Sequence, residues 1–143
     1  MDNKEIILEN FTKHFKKFIY ALKSLNMIPF INNNYEAIIL GIDINEQKIM
    51  HIFMNEILQY EQQINARDEN FFLNFDFNKK YNNLNNEINK VNNNDIKVDQ
   101  ILQFKNIWLK LTQNNKDVII NYMILLCKLS KAYKKEWDKF EQF

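Results

Sequence analysis

An all-α fold, an irregular bundle of four to six helices in a single domain, is predicted by three observations. The chain has one Gly and one Pro in 143 residues, where average usage gives about ten and seven. Those residues make sharp turns, close approaches to phosphate and strand punctuation, so their scarcity argues against phosphate-cradling loops and tight hairpins. Apolar residues recur at spacings of three and four along most of the chain, the period of an amphipathic helix. The composition, 46% apolar with twelve Phe, is enough to fill a core and argues against a disordered chain.

The first helix is expected over roughly residues 4–26. Ile7, Phe11, Phe15, Phe18, Leu22 and Leu25 form its stripe, with Lys13, Lys16, Lys17 and Lys23 opposite. Pro29 ends it, because the residue before a proline is pushed out of the helical region. Asn32, Asn33 and Asn34 read as a loop, and Tyr35 to Gly41 as a short helix or a strand, with helix favoured because a lone strand has no partner. A second long helix should follow, with Asp43 as N-cap and Glu46 completing a capping box. Its stripe is Ile49, Phe53, Ile57, Tyr60 and Ile64, and it should run to about Ala66 or on through Arg67, Asp68 and Glu69.

Phe71, Phe72, Phe75 and Phe77 form an aromatic segment that must pack across the helices, since each ring buries about 150–250 Å². The Asn-rich stretch at about 79–96 is expected to be flexible, with a weak helical spacing at Leu84, Ile88 and Val91. A third strong helix over about 97–112 carries Ile101, Phe104, Trp108 and Leu111. Asn114 or Asn115 should cap the last helix, with Asp117 favourably placed in the field of its N-terminus. That helix is apolar nearly all round from Val118 to Leu126, which predicts a central, buried position. Its stripe continues through Leu129, Tyr133, Trp137 and Phe140.

The net charge of +1 is unevenly distributed. Residues 1–30 carry five Lys against three acids, residues 31–78 eight acids against Lys48 and Arg67, and residues 79–143 twelve Lys against seven acids. An acidic middle and basic ends suggest complementary surfaces within one fold. About two dozen Asn, many Lys and Ile and a single Arg are the signature of an AT-rich genome, so Lys in place of Arg is discounted as a functional signal. Val118 to Cys127 is too short an apolar stretch to span a membrane. The first residues lack the pattern of a secretory signal, and Cys127 alone cannot form an internal disulfide, so a cytoplasmic protein is expected.

The chemistry-bearing residues are few. His14 and His51 stand in no metal-ligand spacing. Cys127, in an apolar helix, reads as a buried, inert thiol. Arg67, Asp68 and Glu69 offer either an acid pair for proton transfer or local ion pairs and caps, and the second fits a helix end better. No catalytic, cofactor-binding or metal-ligating set is expected, and the protein is read as no enzyme. The lysines of the last helix, Lys128, Lys131, Lys135 and Lys139, share one face. They form either a solvated surface or a contact for a phosphate backbone or a protein partner.

Two segments carry a resemblance. Tyr60 followed by Ile64, Arg67, Asp68, Glu69, Phe71 and Phe72 forms one pattern. Phe104 to Trp108, then Asn115-Lys116 and the helix Val118 to Tyr133, forms the other. Together they resemble small helical proteins of unknown role from nucleocytoplasmic large DNA viruses. The match covers about a third of the chain and carries over no functional residue. It implies a viral protein of the host cytoplasm or the virion.

The expected function is therefore a non-enzymatic binding or structural role through protein–protein contacts. One alternative is a sequence-independent nucleic-acid accessory protein using the basic C-terminal face. Another is a helical groove protein that captures a partner helix.

Overall fold

The computed structural model describes residues 2–74 and 106–141. The described residues are almost wholly helical and contain no strand, and they pack as an irregular all-α bundle. The Asn-rich stretch at 79–96 lies outside them, as do Phe75, Phe77, Ile101 and Phe104.

Helix α1 spans Asn3–Ser24. The Asp2 carboxylate caps it, accepting from the Glu5 amide at 2.8 Å, and Glu5 and Lys23 complement its dipole at the two ends. Asn26 follows with a φ of 56°, the left-handed conformation that Asn tolerates at a helix C-terminus. The buried residues are Leu8, Phe11, Thr12 and Ile19. The core face is thus broader than the expected stripe, because α1 is packed on two sides.

Helix α2 spans Pro29–Ile44, so the loop expected at Asn32–Asn34 is helical. Proline at the first helical position starts the helix, and Ile31, Tyr35, Ile38 and Ile42 anchor it on α1 at helical spacing. The asparagines leave a trace: Asn34 departs from helical dihedrals and its side chain donates to the Phe30 carbonyl at 2.9 Å, kinking the helix there. Asp43 is not an N-cap. It lies in the last turn of α2, where its carboxylate accepts from Lys16 at 2.7 Å, and the chain breaks one residue after α2, at Asn45.

From Glu46 to Asn65 the chain stays helical but changes pitch. Helix α3 (Glu46–Ile52) runs into a π-turn (Phe53–Ile57), a 3₁₀ turn (Leu58–Tyr60) and helix α4 (Glu61–Asn65). The helix does not continue through Arg67. Arg67 takes a φ of 57°. Its amide donates to the Ile64 carbonyl at 3.1 Å and the Asp68 amide to that of Gln63 at 3.2 Å, the paired bonds of a Schellman stop. Helix α5 (Glu69–Asn74) begins on Asp68, whose carboxylate accepts from the Asn70 and Phe71 amides.

Residues 106–110 form a helical turn, and the last helix, α6, spans Gln113–Glu141. Its cap is Thr112 rather than Asn114 or Asn115. The Thr112 hydroxyl accepts from the Asn115 amide at 3.1 Å, which places both asparagines inside the first turn. The segment 118–126 is only partly enclosed, with Val118 and Asn121 exposed and Ile120 and Leu126 buried.

Three apolar clusters hold the bundle. Leu8 and Phe11 of α1, Met50, Phe53 and Met54, and Leu126 and Tyr133 of α6 form the first. Phe11 meets Phe53 edge-on, with centroids 5.0 Å apart. The second joins Ile64, Phe72, Trp108, Leu111, Ile120 and Cys127. Here Phe72 stacks on Trp108 at 5.4 Å and 12°. The third, Ile19, Ile31 and Ile42, is the α1–α2 seam.

Burial of this kind sets the cost of truncation. Trp108→Ala should lower stability by about 3–5 kcal/mol, and Phe72→Ala by a similar amount. Urea unfolding of either variant at the wild-type midpoint would contradict the second cluster.

A lysine-lined groove as the candidate functional site

Lys128, Lys131 and Lys135 sit at spacings of three and four on α6, so a helix places them along one line. Leu126, Cys127, Ser130 and Tyr133 occupy the buried faces, which turns the lysines outward. Opposite them runs the segment where the chain changes pitch. The Leu58 amide donates to the Phe53 carbonyl, five residues back, and the Glu61 amide to the Leu58 carbonyl, three back. Between the two runs an open groove of about 760 Å³. Met54, Leu58 and Ala132 supply its apolar surface, and Gln59 lies on the same wall as Leu58.

Four ammonium groups and two carboxylates line this groove. Lys131 pairs with Glu61 at 2.9 Å, and Lys134 with Asp138, one turn on, at 3.8 Å. Lys128 and Lys135 are exposed and carry no ion pair among the described residues. Lys139 is not brought to the groove; its ammonium lies 3.5 Å from Glu136. Sequence spacing missed Lys134, although its position three residues after Lys131 signals the same face. It also missed the apolar floor, because Met54 belongs to no regular stripe once the pitch changes.

The other candidate residues are occupied structurally. Glu69 Oε1 accepts from Lys116 at 2.6 Å and from the Trp108 indole at 3.3 Å, and the Lys116 ammonium lies 5.7 Å from the Trp108 ring centroid. The hydrogen bond and charge of Lys116, and then the Trp108 bond, hold the Glu69 carboxyl below its ordinary value of 4.5. Arg67 bonds the Asn121 side chain and lies 3.9 Å from Asp117. The trio therefore caps α5 and ties it to the start of α6.

Cys127 is buried, and desolvation, helped by the charge of Glu61, pushes its thiol up to about 11. His14 is half-buried, and burial followed by the charges of Lys17 and Lys13 lowers its pKa from 6.5. His51 packs edge-on against Trp137 at 4.9 Å, with Lys4 over the same ring at 4.7 Å. Among the described residues no group of three or more His, Cys, Asp or Glu could hold a metal ion. No described helix is long and apolar enough to cross a membrane.

A second surface is apolar. Phe30, Leu40 and Ile44 of α2 are exposed by 65%, 61% and 71%, but Phe30 is separated from the other two by the kink at Asn34. Comparison with protein-family models, curated proteins and solved structures returned no match.

The Glu69 contacts make stability depend on acid. The folded state keeps this carboxylate ionised to lower pH than the unfolded chain does, so its contribution is complete above the ordinary carboxyl range and fades as pH falls through the lowered value. Glu69→Gln should be less stable than wild type near neutrality, with the gap closing as pH falls below the ordinary carboxyl range. A gap in melting temperature that stays constant over that range would contradict the assignment.

Proposed function

We propose that the chain is a non-enzymatic binding protein that acts through protein–protein contacts, with the groove between α6 and residues 54–61 as its contact surface. The observation that carries this reading is the joining of an apolar floor to lysine walls. Met54, Leu58 and Ala132 line the groove together with Lys128, Lys131 and Lys135. A mixed surface of this kind suits a protein segment, which offers apolar and charged groups together.

A nucleic acid fits the same groove less well. Phosphates would meet Glu61 and Asp138 as well as the lysines, and among the described residues no aromatic side chain lines the groove for a base to stack on. On the sequence resemblance alone, the setting is the host cytoplasm or the virion of a large DNA virus.

A display library of random peptides about twelve residues long, three helical turns, tests this. Selection on the protein should enrich peptides whose binding is lost on Gln59→Trp, which covers the groove from its exposed rim. No Gln59-dependent enrichment, together with duplex binding that weakens steeply between about 50 and 200 mM salt, would replace this reading with the nucleic-acid one.

A further inference from the structure

The groove specifies the chemistry of its occupant, and we propose an acidic amphipathic helix of a partner protein, laid along α6; this rests on the protein-binding reading above. Three features of the groove carry it. The first is charge. Of its four lysines, Lys131 and Lys134 are matched by Glu61 and Asp138, while Lys128 and Lys135 have no ion-pair partner among the described residues and stand open to charge from a partner. They are seven residues apart, about 10.5 Å along the helix axis.

The second is shape. Ala132 stands between those two lysines and lines the groove with Met54 and Leu58. A small side chain at a helix contact lets a second helix approach to about 8 Å, and a methionine adapts its shape to whatever apolar side chain arrives. The third is length. From Lys128 to Asp138 the α6 wall runs about 15 Å, close to three turns.

A helix lying along α6 shares its rise per residue, so carboxylates seven apart repeat the spacing of Lys128 and Lys135. Apolar residues at the third and fourth positions between them would reach Ala132 and Leu58 whichever way the partner runs. The recognised pattern is Glu-x-x-Leu-Leu-x-x-Glu. The π-turn at Phe53–Ile57 bears on this geometry, since Met54 lies within it and Leu58 directly follows it, and both line the groove. Single π-turns are found often at functional sites.

Fluorescence anisotropy with labelled synthetic peptides tests the assignment at about 50 mM salt, where exposed charges are weakly screened. The probes are a helix of this pattern, a scramble of the same composition, and a version with Lys for both Glu. The patterned peptide should bind about tenfold more tightly than the scramble. Lys128→Glu with Lys135→Glu should remove about that factor, and the Lys peptide should recover it on the double variant. Both lysines are exposed, so the variant should melt like wild type by circular dichroism.

Equal binding of pattern and scramble, an unchanged double variant, or a DNA duplex that displaces the peptide would each overturn the acidic-helix assignment. If Gln59-dependent peptides of another chemistry emerge from the display library, the groove remains a protein site and only the assignment of its occupant falls. If neither experiment yields groove-dependent binding, both fall.

Discussion

Leu126 and Cys127 are consecutive residues of α6, both fully buried, and each belongs to a different apolar cluster. Neighbouring residues on a helix point about 100° apart, so burying both obliges α6 to present a wide apolar arc. On the Leu126 side it covers α1, α3 and the π-turn. On the Cys127 side it covers α4, α5 and the turn at 106–110. Each fully buried aliphatic side chain contributes about 1.5–3 kcal/mol, so the shared wall outweighs any polar contact in the bundle. What the arc leaves uncovered carries Lys128, Lys131 and Lys135, all three exposed. The basic face is thus a consequence of how the core is built.

The polar contacts have a different role. Three ion pairs far apart in sequence, Lys16–Asp43, Lys116–Glu69 and Lys131–Glu61, each join the acidic middle of the chain to one of its basic ends. Exposed pairs of this sort contribute about 0–1 kcal/mol each, too little to hold the fold but enough to favour one alignment of helices over its neighbours. Arg67 shows the same trade. Its left-handed backbone costs about 1 kcal/mol relative to Gly, yet Gly could not reach Asn121 and Asp117 from the end of α4. The stop after α4 therefore also ties the chain to the beginning of α6.

Much of this was legible in the sequence because it rests on periodicity. The α1 and α6 stripes, the buried thiol of Cys127 and the outward line of lysines all follow from spacing on a regular helix. What spacing could not reveal depends on choices between near-equal local alternatives. Asn32–Asn34 favours turns, but Pro29 at the first helical position and the isoleucines behind it pull the segment into α2. Asp43 is a good cap in isolation, but the burial of Ile42 against α1 extends α2 past it, and Lys16 takes its carboxylate. Thr112 displaces two asparagines as the α6 cap. The groove was the least legible feature, since it needs the pitch change at Phe53–Ile57, and no residue type marks a π-turn.

The shared wall is the central claim, and native-state hydrogen exchange tests it most directly. The amides of Ile120 to Tyr133 should exchange slowest of all, and their opening free energy should match that of the protected amides around both Phe11 and Ile64, because losing α6 loses both clusters. Two separate opening energies, with the amides near Phe11 remaining protected while those near Ile64 and the centre of α6 exchange, would contradict it.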